Sequence, residues 1–127
     1  MRLLLDTHAF LWFAAGDRRL GRGARQAIEH AGAELHISVA SIWELAIKSS
    51  LGRLTLAASI DRYTAEKIEE GYRILPVEWA HAAAVEHLAF HHRDPFDRVI
   101  AVQALAEKMT LVTRDKVFRR YGVQTIW

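Results

Sequence analysis

Short aliphatic runs alternate with longer stretches of helical periodicity along this chain, and the changes of rhythm fall mostly at Gly, Pro or acidic residues. Arg2 to Leu5 is an apolar run that stops at Asp6-Thr7-His8, and His8 to Ala15 is an apolar helical stretch ended by Gly16-Asp17. Ala24, Ala27, Ile28 and Ala31 recur at helical spacing within Gly21 to Ala31, ahead of a short strand over Glu34 to Ser38. Helices over Ser41 to Leu51 and Ser59 to Glu70 are closed by Gly52 and Gly71. A strand-like Tyr72 to Leu75, an Ala-rich helix over Trp79 to Leu88 and a polar loop over His91 to Asp94 follow. Pro95 suits the first turn of a helix running to Lys108. Thr110 to Thr113 reads as a strand, Lys116 to Tyr121 as a short helix and Val123 to Ile126 as a last strand. Strands separated by helices imply crossover units, hence an α/β fold: a central, mainly parallel sheet flanked by helices. No repeat, linker or low-complexity tract interrupts the pattern, so residues 1–127 read as one domain.

Composition narrows the function classes. Hydrophobic residues at 51% and charged residues at 25% fit a chain that buries a real core, not a disordered or fibrous one. The absence of cysteine excludes disulfides, Cys-ligated zinc, iron–sulfur clusters and thiol catalysis, and points to a reducing cytoplasm. Three leucines before Asp6 are too short an apolar run for a signal peptide, and no run is long enough to span a membrane. The formal charge of +2 permits nucleic-acid binding without demonstrating it.

The acidic residues carry the chemistry. In open parallel sheets the functional crevice lies beyond the carboxyl ends of the strands, and Asp6 and Asp115 both follow apolar strands. Taken alone, an Asp in that place caps the next helix. Ser41-x-x-Glu44 fits a capping box, and Glu44 also has Lys48 at i, i+4. Asp94 fits an N-cap ahead of Pro95, with Asp97 favoured by the helix dipole. Taken together, Asp6, Glu44, Asp97 and Asp115 all fall at strand ends or helix starts that a doubly wound fold brings to one edge. Clustered carboxylates repel one another unless a cation neutralises them, and such oxygen ligands suit Mg²⁺ or Mn²⁺.

Four segments in order, Leu3-Leu4-Leu5-Asp6-Thr7-His8, Ile37 to Leu45, Asp94-Pro95-Phe96-Asp97-Arg98 to Ala104, and Leu111-Val112-Thr113-Arg114-Asp115, resemble the PIN-domain family across essentially the whole chain. Within it they are similar to the VapC-type toxins of toxin–antitoxin pairs. The resemblance implies a metal-dependent endoribonuclease with Asp6 and Asp97 as the surest metal ligands. Glu44 and Asp115 complete the shell directly or through water, and either can orient the attacking water. The resemblance also implies a small antitoxin partner that reaches a basic side chain toward the acidic pocket.

Around these acids, Thr7 and Thr113 are placed to fix carboxylate rotamers or touch phosphate, or else to bond the local backbone; Asp94 stays an additional carboxylate of open role. Arg93, Arg98, Arg114 and Lys116, with Arg119 and Arg120, form a basic rim suited to RNA backbone. His87 and His91 with Glu86 lack the pattern and third ligand of a zinc site. Trp12, Trp43 and Trp79 fit core or subunit-interface packing better than base stacking. Phe10-Leu11-Trp12-Phe13 cannot all face one core from a short helix, which suggests a homodimer face or an antitoxin groove. The reading from a different class is a non-catalytic Mg-binding module, receiver-like or nucleic-acid-binding. A receiver-like module differs in carrying adjacent acids after its first strand, where this chain has the single Asp6.

Overall fold

A computed structural model describes residues 1–127. Strands β1 (Arg2–Leu5), β2 (Glu34–Ser38), β3 (Arg73–Leu75), β4 (Thr110–Val112) and β5 (Thr125–Ile126) form one sheet in the order β3-β2-β1-β4-β5. Every neighbouring pair is parallel. Helices α1 (Thr7–Ala15), α2 (Arg22–Glu29), α3 (Val39–Ser50), α4 (Ile60–Glu69), α5 (Trp79–Ala84) and α6 (Pro95–Ala106) make the crossovers, with 3-10 helices at Val85–His87 and Lys116–Tyr121. The fold is α/β as the periodicity predicts. Its strand order differs from the 2-1-3-4-5 order of receiver-type sheets, which removes the receiver-like reading.

Leu3-Leu4-Leu5 is an unbroken apolar run because β1 is the middle strand, covered on both faces. The strand period of two sends Leu3 and Leu5 to one side, against Phe10, Ala24, Ile28 and Leu45. Leu4 goes to the other, against Ile100, Ala104, Leu111 and Phe118. Two apolar layers thereby clamp the sheet, leaving its carboxyl edge to polar residues.

The predicted helix starts shift in one informative place. β2 runs directly into α3, so Ser38 and not Ser41 is the N-cap, its hydroxyl accepting from the Ala40 N–H at 3.0 Å. The expected capping box between Ser41 and Glu44 is therefore absent: Ser41 lies inside the helix, its hydroxyl donating to the Thr7 hydroxyl oxygen at 3.0 Å. The helix expected over Trp79 to Leu88 is α only to Ala84, then tightens into the first 3-10 helix.

The aromatic residues divide. Trp43 and Trp79 are 62% and 83% exposed and so are not core residues. Trp43 stands two positions from buried Leu45, about 200° around the helix. Of the run Phe10 to Phe13, Phe10 is buried while Leu11, Trp12 and Phe13 are half-buried against the same apolar layer. No helix is long and apolar enough to cross a membrane.

Candidate active site

β1 and β4 lie side by side where the strand order reverses, and the crevice of such a sheet opens beyond their carboxyl ends. Asp6 leaves β1 there and Asp115 leaves the loop after β4, while Glu44 comes from α3 and Asp94 and Asp97 from the start of α6. These five carboxylates line one cleft of about 240 Å³ together with Thr7, His8, Lys48 and Phe118.

Four of the five are held by donors from the chain. Asp6 caps α1, accepting from the Ala9 N–H at 2.8 Å, and its second oxygen accepts from the Thr113 hydroxyl at 2.6 Å. Glu44 accepts from the Thr7 hydroxyl at 2.7 Å and from the Lys48 ammonium at 2.8 Å. Asp94 caps α6, accepting from the Phe96 N–H at 2.8 Å. Asp115 accepts from the Val117 N–H at 2.9 Å, and its other oxygen sits 2.6 Å from His92 Nε2. Thr113 also accepts from the Asp115 N–H at 3.1 Å, tying the loop that carries one acid to the side chain of another.

Asp97 has burial and no such donor. Burial pushes its carboxyl up to about 6, and the charge of Asp94 adds to that. Burial likewise raises Asp6, against the pull of Thr113 and Ala9. No three of these side chains stand within a single coordination sphere in this geometry. The physical reason is on hand: carboxylates repel across the cleft, and Lys48 draws Glu44 to itself. The acidic side chains offer oxygen donors only, the chemistry that a hard divalent cation takes and a soft one does not.

The family signature of the PIN domain matches residues 3–124. The chain belongs to the PIN-domain family. It is 33% identical over 119 residues, 94% of its length, to Ribonuclease VapC22 of Mycobacterium tuberculosis, covering 91% of that protein, which sets it among the VapC-type members. Solved structures sharing the fold include VapBC2 from Rickettsia felis bound to a DNA fragment from their promoter, at TM-score 0.71 and 18% identity, with 98% of this chain and 97% of that chain covered. VapBC-1 from nontypeable Haemophilus influenzae gives 0.68 and 20%, with 98% and 96% covered.

In this PIN domain Arg93, Arg114 and Lys116 are exposed. Arg98 is a correction. It is 5% exposed, and its guanidinium donates to the carbonyls of Val85, Leu88 and Ala89 at 3.0–3.1 Å beneath the ring of Phe90. A side chain so buried fastens the segment before α6 and is withdrawn from the surface where a phosphate would lie. Arg119 is also engaged, donating to the Thr125 hydroxyl. His87 pairs only with Glu86 at 3.2 Å, and His91 packs at a tilt against Tyr121.

Sequence reasoning missed His92 and Tyr121, which back Asp115 in this PIN domain, and gave Lys48 only a helix-pairing role. The missed signal is the spacing Asp115, Phe118, Tyr121, three apart on a 3-10 helix and hence on one side of it. His92 itself carries no local signature; only the packing of two loops brings it to Asp115.

Proposed function

We propose that this PIN domain is a divalent-metal-dependent endoribonuclease, the toxin of a toxin–antitoxin pair acting on RNA in the cytoplasm. The observation that carries the reading is the cleft of five carboxylates, four held by the chain and the fifth, Asp97, lacking any donor. Such a set is electrostatically incomplete until a cation enters. Asp6 and Asp97 hold Mg²⁺ or Mn²⁺, with Glu44 and Asp115 completing the shell or orienting water. When bound, the cation activates the attacking water and relieves charge on the phosphodiester.

The remaining work belongs to the chain. Thr113 and the Ala9 N–H fix Asp6 in one rotamer, and Thr7 does the same for Glu44. Lys48 balances Glu44 in the metal-free cleft, and its ammonium is free to turn to a phosphate oxygen once the acids are neutralised. Arg93, Arg114 and Lys116 hold the RNA backbone beside the cleft. An antitoxin fits the groove of about 360 Å³ lined by Leu11, Trp12, Leu54, Leu56 and Tyr63, where two residues of the Phe10–Phe13 run lie open. A basic side chain extended from it toward the carboxylates competes with the metal for them. A second copy of the chain fits the apolar face formed by Val39, Trp43, Val77, Phe96 and Val99.

The test is cleavage of an RNA pool with Mg²⁺ or Mn²⁺ and with EDTA, for wild type and Asp97→Asn. Metal-dependent cleavage that the substitution lowers by several orders of magnitude is expected. Full activity of Asp97→Asn, or cleavage unaffected by EDTA, refutes the assignment.

A further inference from the structure

His92 belongs to the loop before α6, yet its ring is gripped by the 3-10 helix that follows β4. Nε2 lies 2.6 Å from Asp115 Oδ2, and Nδ1 lies 2.8 Å from the Tyr121 hydroxyl. The ring rests on Phe118, centroids 4.5 Å apart, and only 9% of the side chain is exposed. A carboxylate only accepts, so Nε2–H donates to Asp115, and on the neutral ring the phenol O–H donates to Nδ1. This order satisfies both contacts with one proton on the ring. Asp115 then has one oxygen fixed by the Val117 N–H and the other by His92, each with a lone pair to spare on a carboxylate that lines the cleft.

The same loop is anchored upstream by Arg98, which gathers the carbonyls of Val85, Leu88 and Ala89. Its downstream end carries Asp94 and Asp97. His92 is thus the side chain that links the acids of α6 to the acid that follows β4.

We infer that His92, backed by Tyr121, is a positioning residue that orients Asp115 toward the bound cation and fixes its distance from Asp97. The inference rests on the nuclease reading above. Partners that orient a ligand from behind are worth roughly 10–100-fold in metal affinity or activity.

The experiment measures Mn²⁺ affinity by calorimetry together with kcat and KM for RNA cleavage, in wild type, His92→Phe, His92→Gln and Tyr121→Phe. Thermal melts confirm that each variant is folded. His92→Phe keeps the ring on Phe118 and removes the donor; it is expected to weaken Mn²⁺ binding and lower kcat by about tenfold or more, with KM little changed. His92→Gln, whose amide N–H reaches the position of Nε2, is expected to restore most of both. Tyr121→Phe is expected to fall between. Nitrogen NMR of the His92 ring supplies a readout independent of activity: the Nε2–H tautomer in wild type, perturbed in Asp115→Asn. Wild-type Mn²⁺ affinity and kcat in folded His92→Phe, or an Nδ1–H tautomer, overturns the positioning role alone. A wild type that binds no Mn²⁺ and cleaves no RNA overturns the nuclease reading, and the positioning role with it. If His92→Phe fails to fold, His92→Gln and Tyr121→Phe decide: unchanged affinity in Tyr121→Phe with a tenfold loss in His92→Gln refutes the positioning role.

Discussion

Asp97 shows how a single residue registers its surroundings. Its carboxyl is raised to about 6 by burial and then by Asp94, so the native state keeps a proton that the unfolded chain releases near the ordinary value of 3.8. A raised acid contributes stability that is complete below about 4 and disappears as pH rises through about 6. The metal-free protein is therefore expected to melt at lower temperature at pH 7 than at pH 5. Asp97→Asn should flatten part of that slope and melt no lower than metal-free wild type at pH 7, as scanning fluorimetry across pH 4.5–8 checks; a large drop in melting temperature speaks for a structural role instead. Arg98 makes the opposite point. Its exposed neighbours in sequence suggest a phosphate contact, but it is buried and donates to three carbonyls. Arg98→Ala is expected to cost roughly 3 kcal/mol in denaturant unfolding by leaving those acceptors unpaired, whereas Arg114→Ala should leave stability intact and weaken RNA binding. Nothing in the local sequence separates the two arginines, because the difference is the path of the segment 85–92 around one of them.

At the scale of elements, the acidic residues do double duty as caps. Asp6, Asp94 and Asp115 each accept from the first backbone N–H groups of the helix they precede, so the cap fixes the carboxylate that lines the cleft. Asp94 is separable from the rest. Asp94→Ser is expected to keep stability and most activity, while Asp94→Ala costs about 1 kcal/mol; loss of activity in the Ser variant equal to that of Asp97→Asn makes Asp94 a ligand. Element identity was legible from periodicity, since every strand and helix falls where its apolar rhythm puts it. Boundaries were less so. α3 starts two residues early because β2 enters it without a loop, and a capping box cannot form inside a helix already begun at Val39.

For the whole molecule, the apolar face around Trp43 and Phe96 is the remaining question of assembly. Trp43 is 62% exposed and packs edge-on against Phe96 at 5.1 Å. A dimer through this face is expected to separate into monomers in Trp43→Glu with its melting temperature within a few degrees of the monomer value, as light scattering at micromolar concentration checks; an unchanged mass moves the contact elsewhere. The sequence by itself determined the α/β class, because apolar period and turn residues are local properties that burial on a sheet merely amplifies. It also determined which acids stand after strands and at helix starts, since chain order assigns those places. Only the tertiary structure decided that the strand order is β3-β2-β1-β4-β5, that Arg98 is buried, and that His92 meets Asp115. Each of these depends on which distant segments become neighbours, and one chain's local pattern carries no record of that choice.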